Sequence, residues 1–338
     1  MIIRERAYPR AGLVGNPSDG YFGKTISFVF GNFQAGVVLY ETPELEIVPN
    51  TRDHSRFDSL RHLVEDVQLN GYYGGIRLLK ATVKRFGDYC DEQKIALADR
   101  NFTIRYHTTI PSQVGLAGSS AIITACLRAL MRFYGVAIAK PIQANLILSV
   151  EKRELGITAG LQDRVAQVYE GLVYMDFNQA LMDRQGYGRY EYLDLALLPP
   201  VYIAYKDDLS ESSEVVHNDL RDRFERGESD VLEAIRFWGG LTDRVREALL
   251  QGRKADIGPL LNSNCDMRRK VCRVSRGNLA MMDVARSVGA SAKFSGSGGA
   301  IVGTYTDADM FQRLAQALSA MHVKVIKPQL IAPREECV

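Results

Sequence analysis

The stretch Pro111-Ser-Gln-Val-Gly-Leu-Ala-Gly-Ser-Ser-Ala121 sets two glycines and a hydroxyl pair directly before a helical pattern, and no other segment limits the fold as much. Gly115 and Gly118 permit backbone conformations closed to other residues and let a ligand approach the main chain. From Ser119 onward Ile122, Ile123, Cys126, Leu127, Leu130 and Phe133 recur at three- and four-residue steps, the pattern of an amphipathic helix. Its unpaired N–H groups and positive dipole end would point into the glycine loop, which suits a phosphate. Upstream, Phe102-Thr-Ile-Arg-Tyr106 alternates as a strand does, so the order is strand, glycine loop, helix. Spacing alone is equally compatible with an ordinary capped turn. The loop is not a Walker A sequence, which needs Lys and then Ser or Thr after its last glycine.

A chain of 338 residues has room for two domains, and 46% hydrophobic with 24% charged residues is a globular composition. Its 42 basic and 40 acidic residues are spread without long single-sign runs, which argues against nucleic acid as a partner. Arg268-Arg269-Lys270 falls in a helical pattern and reads as a solvated face. No run of eighteen apolar residues occurs and Met1-Ile-Ile-Arg-Glu-Arg6 lacks a signal-peptide core, so no membrane association and a cytoplasmic location are expected. The five cysteines, at 90, 126, 265, 272 and 337, include no Cys-x-x-Cys pair, so neither a disulfide framework nor a zinc site follows.

Residues 2–7 and 11–15 read as strands broken at Pro9, followed by the turn-forming cluster Gly15-Asn-Pro-Ser-Asp-Gly20. Arg10 before it and Lys24 after it bring both charge signs to that loop, where Asp19 suits sugar hydroxyls. Gly23-Lys24-Thr25 has the ending of a Walker A loop but runs into the β-rich Ile26-Ser-Phe-Val-Phe30, and is declined. Strands at 36–40 and 45–48 precede two helical patterns, one carried by Phe57, Leu60, Val64 and Val67 and one by Ile76, Leu79, Val83 and Phe86. Pro141 opens a further helix whose apolar face is Ile142, Leu146, Ile147 and Val150.

Glu151 lies beside that face, where a carboxylate is costly unless it is paired or bound to a cation. A salt bridge with Lys152 or Arg153 is the simpler expectation. Asp163 opens another helix, where it would serve as a cap or dipole partner. With Glu151 and the glycine loop, however, it completes a set that phosphoryl transfer needs: a metal ligand and a group that orients or deprotonates the attacking hydroxyl. A strand at 171–177, a polar loop at 178–188 and strands at 190–193 and 201–205 lead past Pro199-Pro200, where a boundary between domains 1–198 and 199–338 is expected. Helices then dominate from 211 to 288, and a closing β-α-β order gives an α+β second domain. Within it Lys293-Phe-Ser-Gly-Ser-Gly-Gly299 is a second glycine loop, either a plain hairpin or a place where backbone meets ligand.

Three of these segments, in this order, resemble the GHMP small-molecule kinases, the family of galactokinase, homoserine kinase, mevalonate kinase and phosphomevalonate kinase. Pro111–Ala121 is similar to the family's Pro-x-x-x-Gly-Leu-x-Gly-Ser-Ser-Ala loop, Lys293–Gly299 to its C-terminal glycine loop, and Arg10–Asp19 to the N-terminal segment of its sugar kinases. The resemblance spans nearly the whole chain. It implies an α+β, two-domain GHMP kinase fold, with an N-terminal ribosomal-protein-S5-domain-2-like half and a C-terminal ferredoxin-like half. It implies ATP and Mg²⁺ as cofactors. Pro111, Gly115, Leu116, Ala117, Gly118, Ser119 and Ser120 would bind the nucleotide, and Ser120 and Glu151 would hold Mg²⁺, with Ser120 also capping its helix. Asp163 would be the catalytic base with Arg10 beside it, although Arg164 follows it where the family has Gln. Asn16, Ser18, Asp19, Lys24, Arg164, Gly296, Ser297 and Gly298 would line the substrate.

From Arg10 through Ser27 the likeness is greatest to the branch of the family that phosphorylates the anomeric hydroxyl of glucuronate. Asn16-Pro17 stands where galactokinases have Glu-His, and loss of that negative charge suits a substrate carboxylate, with Lys24, Arg10 or Arg164 as its partner. The partners implied are a small sugar acid and ATP, and the activity an ATP-dependent sugar-1-kinase. A kinase for another sugar or sugar phosphate, an ATP-dependent decarboxylase of a mevalonate diphosphate, and a non-catalytic sugar and nucleotide sensor are the alternatives.

Overall fold

Alternating strands and glycine punctuation resolve into three four-stranded sheets in the computed structural model, which describes residues 1–50, 53, 58–61, 64, 74–206 and 213–334. The first sheet joins β1 (Ile2–Ala7), β4 (Ala35–Thr42), β6 (Asn101–Thr108) and β5 (Glu46–Val48) in the order β1-β4-β6-β5, antiparallel except where β5 meets β6. The second is antiparallel, β2 (Arg10–Val14), β3 (Lys24–Val29), β7 (Leu172–Asp176) and β8 (Arg189–Leu193) in that order. β1 alternates strictly between exposed and buried residues, whereas β2 is buried along its whole length. The difference arises because α4 (Gln162–Tyr169) and α7 (Ser229–Leu250) both pack on β2 and β3.

The helix after the central loop, α2 (Gly118–Tyr134), lies on β1 and β4 and against α1 (Gly75–Glu92), and its predicted apolar residues are all buried. α3 (Lys140–Ser149) runs into a π turn at Val150–Glu154 before α4. The third sheet holds β9 (Val201–Tyr205), β10 (Lys293–Phe294), β11 (Ala300–Thr304) and β12 (Lys324–Ile326) in the order β10-β11-β9-β12, all antiparallel. Helices enter after β9 and α10 (Ala308–Ser319) between β11 and β12, which is the β-α-β-β-α-β arrangement of a ferredoxin-like unit. Its own small core includes Tyr202, Met281, Met282, Phe294 and Leu314.

The chain passes from the second sheet to the third between Leu193 and Val201, and α7 returns to lie on the second sheet. Trp238 of α7 is fully buried, its indole N–H donating to the Asn264 carbonyl at 3.1 Å, which gives it a packing role.

One expectation changes, and a second can be followed only in part, with Leu60 and Val64 both helical. Residues 178–188 are not simply a loop: Gln179–Gln185 form α5, with the Asn178 side chain accepting from the Leu181 N–H and Gly186 left-handed at the other end. α5 buries none of its residues, so no apolar stripe could signal it. Of the helical pattern at 57–67, Phe57 and Val67 lie outside the described residues, and Leu60 and Val64 are exposed.

Candidate active site

Arg10 is 4% exposed at the start of β2, and its guanidinium reaches three distant segments. Nε and Nη2 donate to the two carboxylate oxygens of Asp163 at 2.5 and 2.9 Å. Nη1 donates to the Gly115 carbonyl at 2.6 Å and to the Ser295 carbonyl at 3.3 Å. A two-pronged arginine–carboxylate pair sets the plane of the carboxylate as well as its charge. The N-terminal segment, the central loop, the C-terminal loop and Asp163 therefore meet at one point.

The central loop is left-handed at alternate residues, with φ of 58° at Gln113, 69° at Gly115 and 61° at Ala117. Backbone of this kind turns neighbouring N–H groups into an anion-binding concavity. The carbonyls face inward: Gly115 accepts from Arg10 Nη1, Leu116 from the Arg10 backbone N–H at 3.3 Å, and Ala117 from Gln167 Nε2 at 2.9 Å. Only glycine fits at 115, because a Cβ there would lie 2.7 Å from the Gly298 carbonyl oxygen. A Cβ on Gly296 would in turn collide with the Gly115 carbonyl and lie 2.8 Å from Arg10 Nη2. The two glycine loops are thus in contact.

α2 begins at Gly118 without a side-chain cap, which leaves its first-turn N–H groups for an anion. This corrects the expectation that Ser120 caps the helix. Ser120 lies inside the first turn, 1% exposed, and its Oγ donates to Gln167 Oε1 at 2.5 Å.

Glu151 is 2% exposed in the π turn and pairs with Arg164, not with Lys152 or Arg153, which the turn directs to the surface. Arg164 Nε donates to Glu151 Oε2 at 2.5 Å, Nη2 donates to the same oxygen, and Nη1 donates to the Gly160 carbonyl at 2.9 Å. Burial pushes the Glu151 carboxyl above its ordinary range, against the opposing pull of Arg164. Asp19 stands near Asp163 and accepts from the Gln162 backbone N–H at 3.3 Å. Desolvation and the Asp163 charge push its carboxyl up to about 6, while the Gln162 N–H, Arg10 and Arg164 act the other way.

Several expected substrate contacts are engaged within the protein. Asn16, 4% exposed, accepts from Lys293 Nζ at 2.5 Å and donates from Nδ2 to the Phe294 carbonyl at 3.3 Å. Ser18 is fully buried and donates to the Lys24 carbonyl at 3.1 Å. The three cations considered for a substrate carboxylate are already paired: Arg10 with Asp163, Arg164 with Glu151, and Lys24 with Asp243 at 2.7 Å. Asp19 keeps partial exposure beside Asp163, and Gly296–Gly298 lie against Gly115.

Three residues at the junction had no assigned role. Gln167, fully buried, ties Ser120, the Ala117 carbonyl and the Tyr8 carbonyl together. Lys293 is 1% exposed at the foot of the C-terminal loop. Arg268 overturns the solvated-face reading: it is 3% exposed in α8 (Ile257–Val271), its guanidinium 4.2 Å over the Phe294 ring. Its signal was present, since Ile257, Leu261, Asn264, Arg268 and Val271 repeat at helical spacing and all are buried.

The junction suits a polyphosphate. Both loops aim backbone toward one space, and the Ser295 hydroxyl and Gln162 Oε1 are buried there without a hydrogen-bond partner. Ser120 and Glu151 offer oxygen donors, the chemistry a hard divalent cation takes. Among the described residues no cluster of three His, Cys, Asp or Glu could hold a metal by itself.

A glycine-loop cradle facing an arginine-held aspartate is the site of a small-molecule phosphotransferase, and the family model of the GHMP kinases N terminal domain matches residues 77–171. The chain belongs to the GHMP kinase family. Glucuronokinase 1 and Probable glucuronokinase 2 of Arabidopsis thaliana are each 46% identical to it, over 89% of this chain and 84% of the relative. The crystal structure of a D-glycero-D-manno-heptose 1-phosphate kinase from Bacteriodes thetaiotaomicron superposes with a TM-score of 0.71 at 20% identity, covering 98% of this chain and 97% of that one. The two-domain α+β fold is therefore that of the family.

Proposed function

We propose that the chain is an ATP-dependent sugar-1-kinase that phosphorylates the anomeric hydroxyl of glucuronate. The observation that carries this is Asp163, held in plane by Arg10 where the two glycine loops meet, in a chain 46% identical to glucuronokinases. Residues 1–198 supply the nucleotide loop, the sugar segment and Asp163, and residues 199–338 supply the second loop. Pro111 and Gly115–Ser120 bind the nucleotide phosphates through backbone N–H groups. Ser120 and Glu151 would hold Mg²⁺, which supplies charge neutralisation at the phosphates when bound. To hold it, Glu151 would have to give up part of its pairing with Arg164.

Asp163 accepts the proton of the anomeric hydroxyl, so that the oxygen attacks the γ-phosphorus of ATP in line and the bond from that phosphorus to the β–γ bridging oxygen breaks, releasing ADP. Arg10 keeps that carboxylate aimed, and its charge stands close to the transferring group. Asp19 grips sugar hydroxyls. A cytoplasmic location belongs to the same proposal; among the described residues no helix is long and apolar enough to cross a membrane.

ADP release across a panel of neutral sugars, uronates and mevalonates, with phosphorus NMR of the product, tests the reading. A single 1-phosphate of glucuronate is expected. A mevalonate product, a neutral-sugar phosphate, or sugar-independent behaviour throughout would overturn it.

A further inference from the structure

Four successive carbonyls of the C-terminal loop are turned toward buried cations. Phe294 accepts from Lys293 Nζ at 2.6 Å, Ser295 from Arg10 Nη1 at 3.3 Å, and Gly296 and Ser297 from Arg268 Nη1 and Nη2 at 2.9 and 2.8 Å. In a planar trans peptide the carbonyl and the following N–H point to opposite sides. The N–H groups of Ser297 and Gly298 consequently face away from Arg268, on the side of the central loop. A Cβ built on Gly115 would meet the nitrogens of Ser297 and Gly298 at 3.1 and 3.2 Å.

Lys293 does more than cap one carbonyl. Its Nζ also donates to the Gly12 carbonyl at 2.6 Å and to Asn16 Oδ1 at 2.5 Å. All three acceptors are neutral, and three acceptors match the three N–H bonds of an ammonium; a neutral amine has two and would set its lone pair against the third. A buried ammonium without a carboxylate is a costly arrangement. Here it is placed where the sugar segment Gly12–Asn16 meets the loop of the other half, a junction also held by the Gly12 N–H donating to the Ser295 carbonyl at 3.0 Å.

We propose that Lys293 is a positioning residue for phosphoryl transfer, its ammonium a strut that seats the sugar segment against the C-terminal loop and, with Arg268, holds the loop's N–H groups toward the transferring phosphoryl. The inference rests on the sugar-kinase reading, and Lys293 acts through Asn16, Gly12 and Phe294 rather than on substrate. Burial, with the charges of Arg268 on α8 and Arg10 on β2, holds this lysine well below its ordinary value; the Cys265 thiol on α8 is the other titratable group acting on it. Deprotonation removes one of three hydrogen bonds, so the strut loosens on the alkaline side.

The test uses the full chain with Lys293→Met and Asn16→Asp. For Lys293→Met, kcat/KM for glucuronate should fall on the order of 100-fold, the scale of a misplacement of about 1 Å, with KM for ATP little changed. The alkaline limb of the wild-type pH–rate profile should vanish in that variant. In Asn16→Asp it should move up by roughly one unit or more, because a carboxylate beside the ammonium favours the charged form. A folded Lys293→Met protein with near-normal kcat/KM overturns the proposal. If that variant does not fold, an unmoved alkaline limb in Asn16→Asp does so. NMR titration of ¹³C-labelled lysine side chains separates this from the substrate reading. Should wild type release no ADP with glucuronate, the strut still stands if one lysine titrates low and moves up in Asn16→Asp, and falls if none does.

Discussion

In the central loop the carbonyls of Gly115, Leu116 and Ala117 are held by one guanidinium, one backbone N–H and one neutral amide, and the seventeen-residue α2 follows. In the C-terminal loop the carbonyls of 294–297 are held by three buried cations, and a strand follows. The two loops lie against each other, Gly115 of one meeting Gly296, Ser297 and Gly298 of the other. The central loop draws positive potential from a helix terminus. The C-terminal loop has no helix, and side-chain cations take that part. A glycine loop is therefore defined less by its glycines than by what holds its carbonyls.

Breaking the point where both loops meet should have the largest effect. Asp163→Asn is expected to lower kcat by about 10² to 10⁴-fold, the usual loss on removing a general base, with nucleotide binding by equilibrium dialysis retained. Near-normal turnover would remove Asp163 from the chemistry. Gly296→Ala comes next, since the added methyl meets both the Gly115 carbonyl and Arg10 Nη2. Steady-state kinetics should show kcat/KM for sugar and for ATP each reduced roughly 10- to 100-fold.

Gly115→Ala sharpens the contrast between the loops. A left-handed alanine costs about 1–2 kcal/mol, and its methyl would lie 2.7 Å from the Gly298 carbonyl oxygen, so the loop must shift to admit it. KM for ATP should rise about tenfold with a smaller change for sugar, the scale of roughly 1.4 kcal/mol. Identical kinetic patterns for the two glycine variants would erase the distinction drawn between the loops.

The smallest expected effect concerns stability. Asp19 has its carboxyl raised from 3.8 to about 6, so the folded chain binds this proton more tightly than the unfolded one. Its ionisation therefore lowers stability progressively as pH rises from about 4 to about 6, the unfolded and folded values, and the deficit persists above. Asp19→Asn should match the wild-type Tm below that window and exceed it above. A lower Tm for the variant at pH 7 would show that the ionised carboxylate is stabilised by the groups around it.

The secondary structure that carries the central loop is legible in the sequence. The strand, loop and helix around Pro111–Ala121 follow from alternation, glycines and a three-to-four periodicity, and α2 buries the residues that periodicity selects. Arg268 was legible and discounted, because its basic neighbours outweighed its place on the buried stripe of α8. α5 was not legible, since a helix without a buried face leaves no periodic trace. Glu151 was seen to need a partner, but spacing favoured the adjacent Lys152 and Arg153 over Arg164, thirteen residues on, which the π turn and α4 bring opposite it.

The sequence by itself determined where glycine is required, which stripes turn inward and which charges are costly, because these depend on local chemistry and short periodicities. Only the tertiary structure decided who pairs with whom. Arg10 meets Asp163 across 153 residues and Lys293 meets Gly12 across 281, contacts set by sheet register and by the seating of one half on the other. It also turned Asn16 away from the part of a sugar contact, since a side chain 4% exposed must satisfy its amide inside the protein, and Lys293 and Phe294 were the groups within reach.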